Sequence, residues 1–191
     1  MVARNRLPPW HEEIRLVNGR DVLIRPIRPE DMPVLRASFE LMEPRDAARH
    51  LLAGASTLGA DQAARLAHPD ARTTFTLVVA ERLPPGDAML SGLGHATIVP
   101  ETREARFTIL VGRNVAGMGL GRHLMRRITR WARGKRLQAL HGDIPETNGP
   151  LIDLALSLGF GTVEGGDPGF VRVRLPLAAA TPVAGAPPAA G

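Results

Sequence analysis

The sequence predicts an α/β (α+β) fold with a mixed, mostly antiparallel central sheet flanked by helices. Three observations lead there. Apolar residues recur at helical spacing in some stretches and alternate in strand fashion in others. The loops between the three central strand candidates, "LPPGDA" and "PETR", are short and rich in turn formers, as in an antiparallel meander. A glycine-rich turn, "AGMGLG" at 116–121, joins the third strand to an arginine-rich amphipathic helix.

In chain order, residues 22–25 read as a short strand. A helix follows, opened by Pro29 with Glu30 and Asp31 in its first turn, where proline and acids belong. Met32, Leu35, Phe39 and Met42 fall on one face of it and are expected in the core. Residues 47–67 read as a second helical stretch broken near "GAST". Strands are expected at 73–81, 89–99 and 104–112. After the glycine turn, Leu124, Met125, Ile128, Trp131 and Ala132 form the apolar face of a helix stopped by Gly134. "LQALHGDI" is a strand reached through a helical crossover, which favours a parallel place in the sheet. Residues 148–158 form another helix, and "FVRVRL" alternates like a last strand. The expected organisation is an N-terminal extension at 1–13, one domain at 14–175, and a disordered Ala/Pro/Gly tail at 176–191.

Composition excludes several classes of chemistry. The 191 residues contain no cysteine, which removes thiol nucleophiles, thiolate metal sites and disulfides together. No His/Asp/Glu spacing makes a metal site, so no metal is expected. No apolar run is long enough to span a bilayer and the start lacks a secretory signal, so no membrane partner and a cytoplasmic protein are expected. The net charge of +5 and the pI near 11.2 come almost wholly from arginine, Lys135 being the only lysine. Such a surface attracts polyanions, including phosphorylated cofactors. A nucleic-acid partner is not expected, because Arg122, Arg126, Arg127, Arg130 and Arg133 fall on the polar face of an amphipathic helix and aromatic residues make up only 4% of the chain.

A strand, a glycine turn and a helix make an anion site, since the backbone N–H groups at the turn and helix start converge on one place. A dinucleotide fingerprint would need glycine where Arg122 stands, and a Walker loop would need Gly-Lys-Ser/Thr, which is absent. A glycine turn that serves packing alone is the remaining alternative from the loop by itself.

The order of meander, glycine loop, helix, strand, helix and Gly-Phe resembles the GNAT superfamily of acyl-CoA-dependent N-acetyltransferases. The superfamily's signature, Gln/Arg-x-x-Gly-x-Gly/Ala, falls on 116–121 with both glycines present and Ala116 in place of the leading Gln/Arg. "VLIRPIRPEDMPVLRASF" and "GLGRHLM" look closest to bacterial Pat-type protein lysine acetyltransferases, over about residues 14–174. The resemblance implies that acetyl-CoA is the co-substrate and that the acceptor is an amine, most readily a protein lysine. A small amine is the minor alternative. It implies that backbone groups of Ile109, Leu110 and Val111 bind the acetyl carbonyl and pantetheine arm. Gly117, Met118, Gly119, Leu120, Gly121 and Arg122 would hold the diphosphate through their backbone, and Asn148 would contact the arm.

The general base of Pat-type enzymes is a glutamate whose matching position here is Arg106, a residue that cannot accept a proton. Asp143, five residues before Asn148, is the first substitute, and Glu104, on the same strand face as Arg106, is the second. The tyrosine that many relatives use on the leaving thiolate matches Ala155, and the chain has no tyrosine. His95 and His141 are expected to be hydrogen-bonded structural residues. These departures also admit a second function, an acetyl-CoA-binding module with impaired catalysis that acts as a sensor or scaffold.

Overall fold

Alternation of apolar residues in adjacent strands sends side chains to both faces of one sheet, and helices cover both. A computed structural model describes residues 8–42 and 57–177. Its strands are β1 (Glu12–Arg15), β2 (Asp21–Pro26), β3 (Thr74–Glu81), β4 (Leu90–Ile98), β5 (Glu104–Val111), β6 (Ala139–Pro145), β7 (Gly161–Val163) and β8 (Phe170–Pro176). They form one sheet in the order β1-β2-β3-β4-β5-β6-β8-β7. Every neighbouring pair is antiparallel except β5 and β6, which run parallel. The helices are α1 (Met32–Met42), α2 (Ala60–Ala67), α3 (Leu120–Gly134) and α4 (Gly149–Ser157).

Two cores result. Leu77 and Val79 of β3 pack with Phe107, Ile109, Leu124, Ile128 and Trp131 on the face covered by α3 and α4. Val78 and Ala80, one residue out of phase, pack with Leu35 and Phe39 of α1, and with Ala63 and Leu66 of α2, on the other face. The apolar stripe anticipated for α3 is buried, with Leu124, Met125, Ile128 and Ala132 fully enclosed. Its arginines point away from the core and several fold back on the protein. Arg127 pairs with Glu12 at 2.7 Å, Arg130 lies over the Trp10 ring at 5.4 Å, and Arg122 donates to Ser157 Oγ at 3.0 Å.

Two boundaries differ from the sequence reading. Glu12 and Glu13 belong to β1, paired with Ile24 and Leu23, so the domain begins before residue 14. β8 runs through Pro176, and Leu177 is buried with its N–H on the Gln138 carbonyl at 2.7 Å, so the folded chain passes residue 175. The expected helical stretch at 47–67 is described only as α2, its first ten positions lying outside the described residues, as do residues 178–191 of the expected tail. The short edge strand β7, exposed throughout, had no alternating apolar signal.

A buried ion pair ties the first half together. Asp31 closes the short helical turn Pro29–Asp31 that leads into α1 and takes both Arg25 guanidinium nitrogens at 2.6 and 2.7 Å, the Arg28 N–H at 2.9 Å and the Gly86 N–H at 3.3 Å. Both side chains are essentially inaccessible. Burial alone would raise the Asp31 carboxyl. The Arg25 hydrogen bonds and charge, with the two backbone N–H groups, outweigh it and leave the group below its ordinary value. The pair's stabilisation is therefore complete above about pH 4, where the unfolded chain's aspartate ionises, and is lost as pH falls through the lower folded-state value. Asp31→Asn would strand a buried guanidinium, and urea unfolding should show a loss of about 3–5 kcal/mol at neutral pH. The difference from the parent should shrink on acidification.

Candidate functional site

The glycine turn adopts backbone angles that its residue types allow. Gly117 and Gly119 have φ of +74° and +85°, in the left-handed region where a β-carbon is strained. Gly119 caps α3, and its carbonyl accepts from the N–H groups of Arg122 and His123 at 3.1 and 3.3 Å. Among the described residues, the N–H groups of Gly117, Gly119, Leu120 and Gly121 donate to no backbone carbonyl. Four donors at the positive end of a fifteen-residue helix suit a diphosphate.

The second half of the site is a gap in the sheet. β5 and β6 pair only through Glu104 with Ala139, Ala105 with Leu140 and Arg106 with His141. Beyond that point β5 runs on to Val111 and β6 to Pro145 without pairing to each other, leaving main-chain edges open. At the fork the Phe107 ring lies across Gly142, where a β-carbon would sit 2.7 Å from two ring atoms. Phe107 is held in turn by an edge contact with Phe160, centroids 5.4 Å apart. Only glycine fits at residue 142 with the ring in place.

Between the gap and the glycine turn lies a cleft of about 260 Å³. Of the residues assigned to the coenzyme from sequence, Ile109, Val111, Gly117, Gly119, Leu120, Gly121, Arg122 and Asn148 line it. Leu110 does not. Strand alternation sends its side chain into the opposite core, so only its main chain faces the gap. Met118 packs on the α3-side core instead of the cleft. Pro150, Leu151 and Leu154 of α4 complete the wall; sequence reasoning missed them because their cleft-facing stripe reads as ordinary core spacing. The Asn148 side chain accepts from the Leu151 N–H at 3.2 Å and so caps α4 as well as lining the cleft. Ala155, where a tyrosine was sought, is fully buried.

The other face of β5, β6 and β8 is polar. Asp143 is inaccessible and accepts from Arg172 Nε at 2.6 Å and the second Arg172 nitrogen at 3.0 Å. Glu104 accepts from Arg174 at 2.6 Å, which together with the nearby His141 holds its carboxyl below the ordinary range. Both sequence-predicted bases are thus committed to arginines. His141 Nδ1 lies 3.3 Å from the Glu104 carboxylate without hydrogen-bond geometry. Burial, and then the Arg106 charge, lower its pKa beneath 6.5, so it is neutral at pH 7. His95 is held between the Thr76 and Thr97 hydroxyls at 2.8 Å each, and burial pushes it down to about 4. It is the hydrogen-bonded structural histidine expected. No cluster of His, Asp and Glu that could hold a metal occurs among the described residues.

Gly119→Ala places a β-carbon in open space but at a strained φ, so the turn must shift. Calorimetric titration should show acetyl-CoA binding about tenfold weaker, with the urea midpoint lowered by no more than the ~1–2 kcal/mol strain implies.

A model of the acetyltransferase (GNAT) family matches residues 54–160, more than half of the chain. Solved structures agree on the fold. The GNAT domain of S. lividans PAT superposes with a TM-score of 0.72 at 18% identity, over 90% of this chain and all of that one. A putative acetyltransferase from Salmonella typhimurium, solved with its cofactor acetyl-CoA, gives 0.63 at 19% identity, covering 88% of this chain and 99% of that one. A cAMP-binding acyltransferase from Mycobacterium smegmatis gives 0.58 at 15%, covering 88% of this chain and 48% of the other. The chain belongs to the GNAT family of acetyltransferases, N-acetyltransferases that use acetyl-CoA.

Proposed function

We propose that this protein transfers the acetyl group of acetyl-CoA directly to an amine within a ternary complex, with a protein lysine as the acceptor that the Pat-type likeness favours. The observation that carries direct transfer is the fork between β5 and β6. A coenzyme seated in the α3-side cleft reaches through it to the polar face, where an amine can approach from the opposite side. The chain has no cysteine to carry a covalent acyl group between two half-reactions.

Backbone N–H groups of the 117–121 turn hold the diphosphate, and main-chain groups of Ile109, Leu110 and Val111 align the arm and acetyl carbonyl along the open edge of β5. The amine nitrogen then attacks the carbonyl carbon, the carbon–sulfur bond breaks, and coenzyme A leaves as thiolate. With a thiol pKa of about 8.5 and no tyrosine in the chain, that thiolate takes its proton from solvent. An alkylamine of pKa about 10.4 is neutral in roughly one molecule in a few thousand at pH 7, so its proton must be removed. Glu104 and His141, side by side where the strands part, are the proton acceptors in this reading, through water. Asp143, locked to Arg172, positions β8 against β6 instead of taking the proton.

Glu104→Gln should lower kcat by about 10²-fold or more without altering the Kd for acetyl-CoA. The profile of kcat/KM against pH should fall on the acid side as His141 protonates, below pH 6.5, because its pKa is lowered. Glu104 holds that pKa up, so in Glu104→Gln the fall should move to still lower pH. Asp143→Asn should cost mainly stability, leaving Arg172 without its carboxylate. A loss of kcat in Asp143→Asn as deep as in Glu104→Gln, with the fold intact, would return the base to Asp143. Binding of acetyl-CoA with no transfer to any peptide or amine would favour the sensor module.

A further inference from the structure

We propose that the acceptor carries a carboxylate and that Arg106 binds it. This rests on the acetyltransferase reading above and adds the substrate's chemical class. The polar face of β5, β6 and β8 holds three arginines and two carboxylates. Arg172 is taken by Asp143 and Arg174 by Glu104. Among the described residues Arg106 has no hydrogen bond or ion pair, and the histidines nearest it, His95 and His141, are neutral at pH 7. One guanidinium is therefore left without an anion.

Its surroundings form a site. Arg106 and Thr108 alternate with Phe107 and Ile109, whose side chains enter the α3-side core, so they project to the far side of β5 from the coenzyme cleft. There they line a cavity of about 360 Å³ with His95, Thr97, Ile98, Val99 and Pro100. In register, Thr97 stands opposite Arg106 and His95 opposite Thr108. The Thr97 hydroxyl and the His95 ring are already fixed to each other, which makes this wall rigid and neutral. Arg106 lies three residues from Ile109, about 10 Å along the strand. A short acceptor can thus place its carboxylate on the guanidinium fork and its amine near the thioester. An uncompensated cation at that distance also disfavours acceptors that are purely cationic, which gives selectivity by repulsion as well as attraction. A small amino acid and an acidic residue flanking a peptide lysine both present this carboxylate, and the test separates them.

Transfer is measured for 5-aminopentanoate against pentylamine, and for a lysine peptide with flanking Glu against one with flanking Gln, in the parent and in Arg106→Gln. The carboxylate member of at least one pair should be preferred by about tenfold or more in kcat/KM, and the pair that shows it names the source. In Arg106→Gln that preference should collapse to about one, mainly through KM, with acetyl-CoA binding and the urea midpoint unchanged. Equal use of both members in both pairs, or a preference that survives in Arg106→Gln, overturns the proposal. Should no amine be acetylated, the transfer reading fails, and NMR titration with 5-acetamidopentanoate and N-pentylacetamide decides the anion site by itself. Binding of the acid alone, weakened tenfold or more in Arg106→Gln, supports it; equal binding of the two overturns it.

Discussion

The site depends on the parting of two parallel strands. Paired strands satisfy their main-chain groups with each other, and an open edge inside a sheet is tolerated only where something else takes its place. Here pairing of β5 with β6 stops after Arg106 and His141. The Phe107 ring across Gly142 occupies the fork on the α3 side, anchored against Phe160. The remaining lengths of both strands present N–H and C=O groups to a cleft instead of to one another. A pantetheine arm, with its own amides, is the partner whose chemistry matches.

The two faces of that fork are electrically unlike. On one side, the start of α3 offers backbone donors and the positive end of a helix dipole to phosphate. On the other, paired and unpaired arginines, two carboxylates and two neutral histidines share one polar face of the sheet. The pairs Asp143–Arg172 and Glu104–Arg174 tie β6 to β8 and β5 to β8 across the sheet. They also restrain the carboxylates as bases, since an arginine-bound carboxylate has a low proton affinity. In the proposed reading the proton therefore passes by way of His141, whose Nδ1 has no hydrogen-bond partner, beside Glu104, and Arg106 stands out as the arginine of this face with no counter-ion among the described residues.

Much of the fold was legible in the sequence because local requirements leave residue types behind. The strands of the meander show as alternation, α3 as an apolar stripe, and the left-handed turn as Gly117 and Gly119. Departures came from relations between distant residues. Nothing local marks Gly142 as the partner of Phe107, thirty-five positions earlier, or sets Arg172 opposite Asp143 and Arg174 opposite His141, which are matters of strand register. Asp143, offered by the sequence as a base, stands opposite Arg172 in this register and forms an ion pair with it. Short edge strands such as β1 and β7 hold too few apolar residues to show alternation, and their existence follows from the neighbours that they pair with.

The most direct test is a crystal structure of the protein with acetyl-CoA. The diphosphate should lie within hydrogen-bond distance of the backbone N–H groups of the 117–121 turn. The pantetheine arm should lie between β5 and β6, with the thioester at the open edge near Ile109 to Val111. A coenzyme bound elsewhere, or β5 and β6 zipped together beyond Arg106 and His141 with the arm excluded, would rule out the fork as the coenzyme site.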